Sequence, residues 1–256
     1  MSPYSITWSA EALALVPLLA FAYAVSLRRH AAPPWRIACF CAAVALLLGA
    51  FLSPLETIAR HYLLAAHLLQ NVVLAEWAPA LLVLGLPPSL GAAVARRRVL
   101  RRATHPALAL ATWLGSYFLW HLPWVYDAAL RHPSTILLAE HVCYLAAGTL
   151  LWWPVFQSAP RALPSGARAA YLFAAFLLAS PLGLLLALLP DAIYSFYEHG
   201  PGLWSLSPLA DQQIAGLTMA AEQAVIFFAL FALFFFRFLA EEESALTGSD
   251  AESAAR

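Results

Sequence analysis

The sequence has few charged residues and few cysteines, and each shortage excludes a class of protein. Only 11% of its 256 residues are charged, whereas a soluble domain carries about 25%. Fourteen acidic residues balance fourteen basic ones, so the chain has no net field that would attract nucleic acid. Three cysteines cannot build a disulfide framework. We therefore expect neither an ordinary soluble domain, nor a nucleic-acid partner, nor a disulfide scaffold.

Apolar side chains are abundant instead. They make up 62% of the chain, and the mean hydropathy is +0.74. A helix needs about 20 mostly apolar residues to cross a bilayer, and seven stretches separated by proline or glycine qualify. The sequence thus predicts an all-α membrane protein, a bundle of seven transmembrane helices. The stretches are Ala10–Leu27, Ile37–Leu52, Tyr62–Leu84, Pro106–Leu122, Ser134–Phe156, Ala167–Leu188 and Ile214–Leu239.

The basic residues, all of them arginine, predict the orientation of the bundle. Twelve of the fourteen lie in alternate loops or at the C-terminal end, and only Arg60 and Arg131 lie on the other side. Since cytoplasmic loops carry the excess of arginine, we expect the N-terminus outside and the C-terminus in the cytoplasm. Residues 1–240 then form one transmembrane domain. The acidic, small-residue-rich segment 241–256 is expected to be a disordered cytoplasmic tail.

Histidines concentrate on the predicted outer side, which holds six of the eight. At a rise of 1.5 Å per residue, His67 and His141 lie roughly 7–10 Å along their spans from the outer ends. His121 ends the fourth span at the same side. Three imidazoles therefore share one shallow layer, where they could bind copper, zinc or iron. The alternative is that each is a helix-end residue with an ordinary hydrogen bond.

Further polar residues and one methionine accompany these histidines. Gln70 and Asn71 follow His67 at helical spacing and extend one polar stripe, which could orient imidazoles or simply join helices by hydrogen bonds. Gln212 and Met219 share a face of the last span. A thioether beside imidazoles favours Cu(I), although methionine is also a common core filler. The candidate ligands are therefore His67, His121, His141 and Met219, with Gln70, Asn71 and Gln212 around them.

Several short motifs lie in order along these spans. They include Ser53-Pro54-Leu55-Glu56, Ala66-His67-Leu68-Leu69-Gln70, Trp120-His121-Leu122-Pro123, Glu140-His141 and Asp211-Gln212-Gln213-Ile214-Ala215-Gly216 with Met219. As a set they resemble the multi-pass CtaG family of cytochrome c oxidase assembly factors, from about the second span to the seventh. One position departs from the family pattern, in which a second histidine follows the first by four residues: here that position is Asn71.

The resemblance implies a non-enzymatic protein of the bacterial cytoplasmic (inner) membrane that helps to mature a haem–copper oxidase. Copper, as Cu(I), would be held at an outward-facing site and passed by ligand exchange to an apo-subunit of the oxidase, after arriving from a periplasmic copper donor. The sequence is also compatible with three other functions. They are a copper or proton transporter that uses Glu76 and Glu222, an intramembrane zinc enzyme, and a structural assembly scaffold.

Overall fold

The computed structural model describes residues 2–254, and about 80% of the chain is helical. Within those residues there is no β-strand, so the prediction of an all-α membrane protein is confirmed. A long helix lies in each of the seven predicted stretches. They are α1 (Glu11–Leu27), α2 (Pro34–Leu52), α4 (Leu64–Gly85), α7 (Pro106–Trp120), α9 (Pro133–Phe156), α10 (Ser165–Leu188) and α12 (Pro208–Ala254).

Short helices form most of the connections between them. They are α3 (Pro54–His61), α5 (Pro88–Ala95), α6 (Arg98–Ala103), α8 (Pro123–Arg131) and α11 (Ser195–Glu198). Proline occupies the first turn of α3, α5 and α8, where its missing N–H costs no hydrogen bond. The predicted loops are therefore mostly folded, and they hold the ends of the long helices at fixed distances.

Five of the described helices, α2, α4, α9, α10 and α12, are long and apolar enough to cross a membrane. The other two of the seven are shorter. Helix α7 has 15 residues, which rise about 22 Å against a hydrocarbon thickness of about 30 Å. Helix α1 belongs to the same shorter class. The structure thus supports an all-α membrane protein with five candidate membrane spans among its described residues.

Helix α4 lies at the centre of the bundle. In its apolar window 72% of the residues are buried, against at most 44% in the other four candidate spans. Its Leu68 and Val72 belong to one apolar core with α7, α10 and α12, while Leu74 and Ala75 belong to a second core with α1 and α2. Helix α9 also contributes to both cores. Polar side chains on α4 are therefore enclosed by protein on every side.

Two close helix crossings depend on glycine. A Cβ added to Gly148 of α9 would lie 2.2 Å from the carbonyl oxygen of Ala75 in α4. Gly183 of α10 and Gly216 of α12 face each other in the same way, with the Cβ position of Gly216 at 2.5 Å from the Gly183 oxygen. Small residues at such crossings let membrane helices approach closely.

The C-terminal segment, which was expected to be a disordered tail, follows the last long helix. Helix α12 continues without interruption through Ala254. Residues 255–256 of the predicted tail lie outside the described residues. The segment is rich in alanine and glutamate, which are strong helix formers, so a helix already anchored in the bundle is extended by them at little cost.

The α4–α9 crossing predicts the effect of adding one methyl group. Gly148→Ala should destabilise the protein by about 1–3 kcal/mol, because the new methyl overlaps a backbone oxygen that has no room to move. Thermal unfolding in detergent measures the change. Gly115→Ala is the matched control, since its Cβ position has no atom within 4 Å. Equal stability of the two variants would contradict a tight crossing.

Candidate functional site

The start of α4 is fixed by a carboxylate from another helix. Both oxygens of Asp211 on α12 accept backbone N–H groups, from Leu64 at 2.7 Å and from Ala65 at 3.0 Å. These are donors that a helix leaves unpaired in its first turn. Asp211 therefore sets the depth and rotation of α4, and with them the position of His67 one turn further along.

His67 and His141 meet in the interior. Their ring centroids are 6.5 Å apart, and both residues have 0% exposure. Neither ring nitrogen of His67 has a hydrogen-bond partner. Its Nε2 lies 3.6 Å from Oε1 of Glu140, close enough for an ion pair but too far for a good hydrogen bond. Two of the three predicted histidines therefore form a buried pair with a carboxylate beside them.

A carboxylate from the first helix orients His141. The Nδ1 atom of His141 lies 2.7 Å from Oε1 of Glu11, which belongs to a single turn of π-helix at the start of α1. As an ionised carboxylate only accepts hydrogen bonds, Nδ1 carries the proton and donates it. The remaining ring nitrogen, Nε2, has no partner. Metal-binding histidines commonly have this arrangement, in which one ring nitrogen is held by a carboxylate and the other is free.

His121 lies on the other side of a tyrosine ring. The ring of Tyr126 is 5.1 Å from that of His67 and 6.3 Å from that of His121, centroid to centroid. The Nδ1 atom of His121 donates to the backbone oxygen of Tyr117 at 2.7 Å, because a carbonyl oxygen is only an acceptor. Its Nε2 is then left with an unshared electron pair and no partner.

Met219 joins His121 rather than the other two histidines. Both line a cavity of about 10 Å³, close to the space that one water molecule or small ion needs. The remaining lining residues are Leu68, Asn71, Val72, Ala75, Glu76, Tyr117 and Tyr144. The four candidate ligands thus fall into two pairs, His67 with His141 and His121 with Met219.

Asn71 and Gln70, two of the three residues expected to surround the ligands, have different roles. Asn71 donates from Nδ2 to Oε1 of Glu140 at 3.0 Å and so holds the carboxylate that faces His67. Gln70 donates to the Ala50 carbonyl and to Glu56 instead of an imidazole. The position four residues past His67 therefore carries an amide that positions Glu140.

Gln212 was expected beside an imidazole, but its hydrogen bonds go elsewhere. It accepts the N–H of Ile193 and donates to the carbonyl oxygens of Leu186 and Asp191. All three partners are backbone groups of the α10 end and the segment that follows it. Gln212 therefore anchors the segment between α10 and α11 to the start of α12.

Tyrosines from that connection and from α11 pack against the residues around His121. Tyr194 donates to the backbone oxygen of His121 at 3.0 Å, and its ring lies 4.3 Å from that of Tyr126. Tyr197 donates to the Ala59 carbonyl. The carboxylate of Asp127 on α8 accepts from Ser195 and from the N–H of Phe196. This segment is held to α3 and α8 by hydrogen bonds at several points.

Sequence reasoning missed Glu11 and the role of Glu140. Glu140 had a signal, because a carboxylate next to a buried histidine cannot face lipid and must turn inward. Glu11 had none, since it is the first residue of an apolar helix and lies 130 positions from His141. Only the second apolar core, to which both α1 and α9 contribute, brings them together. The two carboxylates give the cluster negative groups to offset a cation.

Within the described residues, no group of three or more histidine, cysteine, aspartate or glutamate side chains converges tightly enough to hold a metal ion. The structure instead presents two adjacent pairs of candidate ligands within a helical membrane bundle. Their free ring nitrogens, two on His67 and one each on His121 and His141, are buried.

Comparison with known proteins agrees with the resemblance noted above. The family model described as cytochrome c oxidase caa3 assembly factor, CtaG, matches residues 19–241. The chain therefore belongs to this family of cytochrome c oxidase assembly factors. No curated protein and no solved structure matches it. Glu11 lies before the matched segment, so the orientation of His141 comes from outside the part that defines the family.

The contact between Glu11 and His141 predicts a coupling energy. In a double-mutant cycle of Glu11→Ala and His141→Ala, we expect the pair to couple by about 1–3 kcal/mol, because removing either partner leaves a buried polar group unpaired. Thermal unfolding in detergent measures each variant. The exposed Glu198 is the control, since Glu198→Ala should not couple with His141→Ala. Strictly additive effects of the first two substitutions would contradict the contact.

Proposed function

We propose that this assembly factor binds Cu(I) and delivers it to an apo-subunit of a haem–copper oxidase. The proposed ligands are His67 and His141, which form one pair, and His121 and Met219, which form a second pair at a neighbouring cavity. The observation that carries the proposal is the group of four buried ring nitrogens without hydrogen-bond partners. Buried polar atoms are nearly always paired, so each unpaired one requires an explanation, and an absent ligand is such an explanation.

The chemistry of the donors favours Cu(I) over harder cations. Imidazole nitrogen and thioether sulfur are ligands that copper accepts readily, while Mg²⁺ and Ca²⁺ prefer sets of oxygen atoms. Glu140 and Glu11 supply negative charge to offset the cation. Transfer by ligand exchange breaks no covalent bond in a substrate. We therefore assign the protein a binding and delivery role rather than an enzymatic one.

The direction of delivery follows from the proposed orientation. Arg36, at the start of α2, donates to the carbonyl oxygens of Leu84 and Leu86 at the end of α4, so an arginine-bearing loop meets the end of α4 that lies far from His67. With arginine-rich loops in the cytoplasm, the cluster lies near the outer face. A seven-span bundle of the bacterial inner membrane, with its N-terminus outside, would receive copper from a periplasmic donor.

Removal of His67 or His141 should abolish copper binding by this pair, which we call the outer pair. We expect detergent-purified protein to lose at least one Cu(I) per chain in His67→Ala and in His141→Ala, because each substitution removes one of two paired imidazoles. Anaerobic titration with a chromogenic Cu(I) competitor measures the loss. Oxidase activity of cells that carry each variant should fall with it.

His132→Ala is the matched control for this experiment. His132 is exposed and bonds only to its own helix, through Ala128. It should bind as much Cu(I) as the unmodified protein. If His67→Ala and His141→Ala bind copper normally, the proposed ligands are wrong. If they bind none but the oxidase still matures, the protein acts as a scaffold.

A further inference from the structure

A second group of polar side chains lies deeper in the bundle than the histidine pair. Glu76 on α4 has 1% exposure, and its carboxyl group interacts with that of Glu222 on α12. Gln223 donates from Nε2 to Oε1 of Glu76 at 3.2 Å and to the hydroxyl of Tyr117 at 3.0 Å. Trp77 donates to Oε1 of Glu222 at 2.5 Å. None of these contacts involves His67 or His141.

This group has more acceptors than donors. Oε2 of Glu76, Oε2 of Glu222 and Oε1 of Gln223 are buried and receive no N–H or O–H from a described residue. Two carboxylates in contact inside a bundle cannot both stay ionised without a compensating positive charge. The two carboxyl groups therefore need a cation beside them, either a shared proton or a metal ion.

The cavity described above adjoins this group. Glu76 lines it together with His121, Met219 and Asn71, and all nine lining residues are buried. Three of them carry acceptor atoms without partners: Nε2 of His121, Oδ1 of Asn71 and Oε2 of Glu76. An enclosed space for about one small ion, surrounded by unpaired acceptors and a thioether, has the composition of a cation site.

A local change in the helix brings Glu76 to this position. Residues Val73–Trp77 of α4 form one turn of π-helix, which is wider than an α-helical turn and is frequent at functional sites. Counting at 100° per residue places Glu76 on the opposite face from His67. In the structure Glu76 lies apart from His67. It lines the same cavity as Asn71, the residue four positions after His67.

We propose that this cavity is a second, deeper Cu(I) station, with His121 and Met219 as its ligands and the Glu76 carboxylate balancing the charge. The inference rests on the proposed function, since it assigns a second position to the same cargo. Asn71 connects the two stations: its amide nitrogen bonds to Glu140 beside His67, and the residue also lines the cavity. Asn71 is thus a polar residue between copper bound by His67 and His141 and the deeper cavity.

The number of Cu(I) ions per chain tests the proposal on full-length protein in detergent. The unmodified protein should bind two. Glu76→Gln should bind one, because the substitution keeps the shape of the side chain and removes its charge. The double variant His67→Ala, His141→Ala should also bind one, and combining all three substitutions should leave none. Glu198→Gln, at an exposed position, should still bind two.

Met219→Leu distinguishes loss of the deeper ion from loss of folding. It conserves volume and removes only the sulfur, so it should keep the unfolding temperature and lose the deeper ion. A single ion that disappears in the histidine double variant and is unaffected by Glu76→Gln and Met219→Leu would overturn the deeper station and leave the proposed function standing. An ion that depends on Glu76 and Met219 but not on His67 or His141 would support the deeper station and reject the outer pair.

Discussion

Polar groups in the interior of a membrane bundle must find their partners within the protein, and this constraint organises the structure around α4. With no water in the bilayer core, each unpaired group costs several kcal/mol. Helix α4 carries His67, Gln70, Asn71 and Glu76, all buried. Their partners come from every surrounding part of the chain: Glu140 from α9, Glu56 from α3, and Gln223 from α12. The histidine nitrogens and the deeper carboxyl oxygens are among the buried atoms that have no hydrogen-bond partner in the described residues.

Much of the architecture could be predicted because membrane helices obey simple length rules. Each of the seven apolar stretches contains a long helix, and five of these meet the length of a span. Depth along a helix also follows directly from its rise, which is why His67 and His141 could be expected at one level. In the structure their ring centroids are 6.5 Å apart. Depth alone could not predict this contact, because it also depends on α4 and α9 being neighbours and on the rotation of each helix about its axis.

The remaining contacts depend on packing between distant segments. Glu11 reaches His141 only because α1 packs beside the second apolar core, and Asp211 fixes α4 from 147 positions away. The turn of π-helix at Val73–Trp77 alters the phase that regular helical counting assumes. Gln212 shares a helix face with Met219, yet the segment between α10 and α11 takes its hydrogen bonds. Such features have no local signal in the amino-acid pattern.

The central claim is that buried imidazoles hold copper in this assembly factor. Copper K-edge X-ray absorption of the protein loaded with one equivalent of Cu(I) tests it most directly, because imidazole rings give a characteristic multiple-scattering pattern. We expect imidazole nitrogen ligands, with that pattern weakened in the double variant His67→Ala, His141→Ala. A spectrum without imidazole scattering, or one unchanged by the double substitution, would contradict it.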